Sequence, residues 1–123
     1  MKKRIGLVST WFARGSGQIA KQIIQAINWH TDYEIALLAR MSFAGGAKRI
    51  CFWDEYFYTN IFLSPTYEID SDSFENWIKT NDLSIVIFIE EMFTKNLVSI
   101  CNKLSIKSIN YIVWENFNPS QLN

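Results

Sequence analysis

The strongest constraint on this chain is an alternation of two periodicities. Short runs of branched apolar residues are interleaved with segments whose apolar positions recur at helical spacing. Arg4–Thr10 reads as a first strand. Gln18–Trp29 sets Ile19, Ala20, Ile23, Ile24 and Ile27 among Gln18, Lys21, Gln22, Gln25 and Asn28, an amphipathic helix with a wide apolar stripe. Glu34–Ala39 is apolar at consecutive positions, as a strand covered on both faces is. Phe43–Ala47 reads as a loop, Ile50–Tyr58 as extended and aromatic, and Asn60–Leu63 as the best third strand. Asp72 with Glu75 has the spacing of an N-cap and its capping-box partner. It opens a helix that ends near Asn81 and carries Phe74, Trp77 and Ile78 on one face. Leu83–Ile89, the most hydrophobic run, reads as a buried central strand. Thr94 caps a helix through Leu104, with Leu97, Val98, Cys101 and Leu104 inward. Ser108–Val113 reads as the last strand, before a polar tail, Trp114–Asn123.

Strands alternating with helices, each strand apolar on both sides, imply parallel pairing through helical crossovers. The expectation is a single α/β domain over residues 1–123. It is a Rossmann-like three-layer sandwich whose mostly parallel sheet of about five strands runs most simply in the order 3-2-1-4-5. Ligands of such sheets bind outside the carboxyl ends of the strands, at the switch point between the first and fourth.

Composition narrows the partners. Twelve Lys and Arg balance twelve Asp and Glu, which removes the electrostatic case for nucleic acid or an anionic membrane. Lys2-Lys3-Arg4 reads as a solvated chain end. No stretch approaches the ~20 apolar residues of a membrane span, and the start lacks the apolar core of a signal peptide. The two cysteines, Cys51 and Cys101, form no CxxC, which suits a reducing, cytoplasmic setting. With one histidine, His30 on a solvated turn, a His/Cys metal site is hard to assemble.

At the carboxyl edge the most informative segment is Thr10–Gly17, read as a loop running into the first helix. Gly15 and Gly17 let backbone N–H groups approach an oxygen-rich ligand at the positive end of the helix dipole, and Arg14 adds a charge-assisted contact. The same glycines, with Ser16, also suit a plain turn and cap. Gly15-Ser16-Gly17-Gln18-Ile19-Ala20 matches G-x-G-x-x-G/A. However, several residues separate it from the strand, and Ala39-Arg40 ends the second strand without the acid that holds a ribose, so NAD is not expected. Glu90 and Glu91 close the fourth strand and point to opposite faces while the strand stays regular. One can accept hydrogen bonds from a hydroxyl-rich ligand. Trp114 and Glu115 follow the fifth strand, an aromatic and a carboxylate suited to polar rings. Asp70-Ser71-Asp72 is a literal D-x-D, but Asp72 already has a capping task, so no metal is expected. Both cysteines read as buried fillers.

Taken in order, Val8-Ser9-Thr10-Trp11, Arg14-Gly15-Ser16-Gly17, Leu38-Ala39-Arg40, Phe74-Glu75-Asn76-Trp77-Ile78, Ile87-Phe88-Ile89-Glu90-Glu91 and Asn110-Tyr111-Ile112-Val113-Trp114-Glu115 form a series. The series resembles the amino-terminal lobe of two-lobed GT-B type glycosyltransferases and spans nearly the whole chain. The resemblance implies transfer of a sugar from a nucleotide-sugar to an acceptor hydroxyl, with this lobe mainly binding the acceptor and needing no cofactor. Arg14, Gly15, Ser16 and Gly17 would approach phosphate or sugar oxygens; Glu90, Glu91 and Glu115 would contact acceptor hydroxyls. The histidine that some relatives carry near the fourth-strand edge is replaced by the Glu90–Glu91 region. The donor lobe is not among these residues, so the isolated chain is expected to be inactive. Two other readings stay open: a flavodoxin-like module holding a flavin phosphate with Trp11 near the ring, and an interaction domain using the aromatic stretch Phe52–Phe62.

Overall fold

A computed structural model of the chain describes residues 3–10, 15–40, 61–64, 69–89 and 95–111. Five strands and three helices alternate: β1 (Arg4–Thr10), α1 (Gly15–His30), β2 (Glu34–Arg40), β3 (Ile61–Leu63), α2 (Ser71–Asn81), β4 (Ile85–Ile89), α3 (Lys95–Lys103) and β5 (Lys107–Tyr111). The sheet order is β3-β2-β1-β4-β5 and every pairing is parallel. This is the doubly wound α/β architecture that the alternating periodicities predict.

Strand geometry divides the core in two. Ile5 and Leu7 of β1, Ile35, Leu37 and Ala39 of β2 and Ile89 of β4 pack with Ala20 and Ile24 of α1. The intervening residues Val8, Ala36, Leu38, Val86 and Phe88 face Phe74, Trp77 and Ile78 of α2 and Leu97 and Cys101 of α3. Successive strand side chains point to opposite faces, so α1 covers one face and α2 with α3 cover the other. Gly6 is a steric requirement on the second face. A Cβ there would lie 2.6 Å from Leu83 Cδ1 and 2.7 Å from Trp77 Cη2, so the missing side chain is what lets the indole lie over β1.

Four local readings are corrected. α1 begins at Gly15, so the glycines form its first turn; a first-turn residue needs helical dihedrals but no i−4 partner for its N–H. The cap of α2 is Asp70, whose extended backbone (φ −68°, ψ 133°) lets Oδ2 accept the Ser73 N–H at 2.9 Å. Asp72 sits inside the first turn, where its charge still suits the dipole. Glu75, no longer a capping partner, pairs with Lys79 of its own helix (2.9 Å) and bridges α2 to α3 through Lys103 (3.0 Å). Arg4 is more than a solvated chain end: Nε donates to Glu34 Oε1 at 3.0 Å, and Nη1 to the Asn81 carbonyl at 3.4 Å.

The last correction concerns β5, expected to be covered on both faces. In register with Ile87 and Ile89, its Ile109 and Tyr111 look toward the α1 side, yet they stay 44% and 42% exposed. α1 packs mainly over β1 and β4, which leaves these β5 side chains partly uncovered. Asn60, Thr94 and residues 112–113, placed in or beside elements by the sequence pattern, lie outside the described residues, as do the Phe43–Ala47 loop and Ile50–Tyr58.

α2 and α3 end by the same device. Asp82 (φ 54°) and Ser105 (φ 60°) adopt the left-handed conformation, and the buried residue after each, Leu83 or Ile106, donates its N–H to the carbonyl five residues back.

Candidate functional site at the carboxyl edge

The switch point lies beside β1. β1 pairs with β2 on one side (Thr10 opposite Arg40) and with β4 on the other (Val8 opposite Phe88). The helices following β1 and β4 pack on opposite faces of the sheet. Where they depart lies the region outside the strand ends in which sheets wound this way bind ligands. The first turn of α1 borders it.

Three of the seven candidate residues fall among those described. Gly15, Ser16 and Gly17 supply backbone N–H groups that have no partner within the helix, at the positive end of its dipole. No acidic residue occupies the first turn of α1 or of α3, the two helices flanking the switch point. α2 differs, with its N-terminus engaged by Asp70 and Asp72. Arg14, Glu90, Glu91 and Glu115 lie outside the described residues, as do Trp11, Trp114 and Cys51.

The edge holds further polar residues that pattern reading passed over. Arg40 closes β2, half-buried and in register with Thr10. Ser9 at the end of β1 and Ser64 just after β3 are buried, and the Ser64 N–H donates to the Ala39 carbonyl at 3.0 Å. The available signal was a hydroxyl or guanidinium breaking an apolar run at its carboxyl end. Among the described residues the edge carries the Arg40 guanidinium, the N-terminus of α1 and Lys95 opening α3. Groups of this kind suit anionic or oxygen-rich ligands.

Several described titratable groups lie elsewhere in the fold. The Cys101 thiol is buried beneath α3, and burial pushes its pKa up to about 11, which leaves it unreactive as a nucleophile. Hydrogen bonds from Lys79 and then Lys103 hold the Glu75 carboxyl below its ordinary value, far from the crevice. Asp70 and Asp72 are exposed at the start of α2, and no three His, Cys, Asp or Glu side chains cluster among the described residues. His30 is the exposed last residue of α1. No described helix is long and apolar enough to cross a membrane. Comparison with protein-family profiles, curated proteins and solved structures finds no match to this chain.

Proposed function

We propose that this chain is the amino-terminal, acceptor-binding lobe of a two-lobed GT-B type glycosyltransferase, moving a sugar from a nucleotide-sugar to an acceptor hydroxyl. One observation carries the reading: at the switch point of a 3-2-1-4-5 parallel sheet, α1 opens on two glycines with no acid in its first turn. That arrangement suits close approach of phosphate or sugar oxygens to backbone N–H groups. In this reading Arg14, Gly15, Ser16 and Gly17 meet those oxygens, and Glu90 or Glu91 and Glu115 accept hydrogen bonds from acceptor hydroxyls. Donor binding falls mainly to a second lobe outside these residues, so this lobe alone transfers no sugar and holds a nucleotide-sugar weakly. The strand order also favours this reading over a flavodoxin-like module, whose order is 2-1-3-4-5.

The test is transfer of labelled sugar from a panel of nucleotide-sugars by the full-length protein that carries this lobe, comparing wild type with Gly17→Ala and Arg14→Ala. Alanine is the better helix former by about 1 kcal/mol, so Gly17→Ala keeps or raises the melting temperature. The expected result is a rate at least tenfold lower, about 1.4 kcal/mol of barrier, in a folded protein. Wild-type rates in both variants would remove the loop from the site. Failure to transfer from every donor would overturn the transferase reading.

A further inference from the structure

α2 has three distinct faces. Phe74, Trp77 and Ile78 are buried against the sheet, and Glu75 carries charge toward α3. The third face, Ser73, Asn76 and Thr80, is uncharged and follows helical spacing. With Phe62 of β3 and with Trp77 and Asn81 of α2, these residues line a cleft of about 290 Å³ between the helix and the edge of the sheet. Two observations set this cleft apart from a solvated groove. Ser, Asn and Thr are weaker helix formers than the Lys, Glu or Gln of an ordinary exposed face, so the stripe costs α2 stability. Trp77, only 4% exposed and a wall of the cleft, has a buried indole Nε1 that meets no acceptor among the described residues, and an unpaired buried donor costs stability.

We propose that the α2–β3 cleft binds an uncharged molecule of monosaccharide size that carries hydroxyls and a carbonyl oxygen. Among the described residues no charged side chain lines the cleft, so a neutral ligand leaves no charge there uncompensated. The volume lies at the low end of small-molecule sites, which begin near 300 Å³. Ser73, Asn76 and Thr80 exchange hydrogen bonds with the hydroxyls, and the carbonyl accepts from Trp77 Nε1–H. Because Nε1 is covered, the carbonyl reaches it as that edge of the indole tilts outward, while Cη2 stays over Gly6. The cleft shares no residue with the carboxyl-edge crevice and does not rest on the transferase reading.

The experiment follows the Trp77 indole ¹⁵N–¹H signal, assigned by through-bond connectivity, while the chain is titrated with three probes. These are N-acetylglucosamine, glucose, which keeps the hydroxyls but lacks the amide carbonyl, and glucosamine, which is cationic. The expected result is a saturable shift with N-acetylglucosamine at a Kd of about 1 mM or tighter, within the span of ordinary metabolite sites. Glucose and glucosamine bind at least tenfold more weakly. Thr80→Leu, at an exposed position, fills the cleft and abolishes the shift with the melting temperature retained. Glu75→Gln, on the charged face, leaves the shift intact. No shift with any probe, or a shift that survives Thr80→Leu, overturns the site. Equal affinity for glucose and N-acetylglucosamine overturns the carbonyl contact.

Discussion

On the α1 side of the sheet the core is aliphatic, with Ile5, Leu7, Ile24, Ile35, Leu37 and Ile89 meeting side by side. On the opposite side it is organised by rings. Phe74 lies 5.8 Å from Trp77 and 5.9 Å from Phe88, centroid to centroid, all three buried. The same strands therefore support two kinds of packing. Branched aliphatic side chains fill space in many equivalent ways, and such cores tolerate swaps that keep volume. Rings of fixed shape demand matching hollows, and Gly6 is the hollow for Trp77. The lesson is that tolerance to substitution differs across a sheet only one strand thick.

Substitutions can break that comparison or sharpen it. Phe74→Ala removes the ring that touches both of the others, and we expect a loss of about 3–5 kcal/mol in denaturant unfolding. A loss under 1 kcal/mol would show that the aromatic side is no tighter than the aliphatic one. Gly6→Ala adds a single methyl and is expected to cost about 1–3 kcal/mol through overpacking. Combined with Trp77→Phe, which removes Cη2, it should cost less than the sum of the two single changes. Strict additivity in that cycle would break the link between glycine and indole. Asp70→Ala tests a local device that neither core side controls. Loss of the Ser73 N–H acceptor should cost about 1 kcal/mol.

On the aliphatic side, Ile24→Val should cost no more than about 0.5–1.5 kcal/mol although Ile24 is fully buried. The smallest effect belongs to the surface. Glu75 is held by Lys79 and Lys103, and its folded pKa lies below the ordinary 4.5. The stabilisation it brings is complete above that ordinary value and is lost as pH falls through the lower folded one. Wild type and Glu75→Gln should therefore converge in melting temperature under acid conditions and differ slightly near neutrality, less so at high salt.

What could be read in advance follows the physics of each segment. Period-two and period-3.6 patterns report burial, so β1, α1, β2, α2 and β4 were legible from their apolar spacing alone, as was the strand order that short connections favour. Capping was harder. Asp70 and Asp72 both have the chemistry of a cap, and the choice depends on which backbone is extended, a property no residue type announces. The start of α1 is ambiguous in sequence for a related reason, because glycine is compatible with both a loop and a first turn. At the candidate site, Gly15–Gly17 were found because glycines punctuate a pattern. Arg40 and Ser64 mark the ends of apolar runs, but a single polar residue there does not announce what its side chain does.

The central place of β1 also has a consequence in time. Ile5 pairs with Ile35 on one side and with Ile85 on the other. As the chain leaves the ribosome, β1 emerges first and can acquire β2 soon after α1 winds. Its second edge must then wait for β4, several seconds later at the usual pace of about 5–20 residues per second. Throughout that interval the central strand of the finished sheet has an open hydrogen-bonding edge flanked by apolar residues, the kind of surface that pairs with other chains. The same order that seals β1 on both sides in the native state leaves it sealed on one side only while the chain is being made.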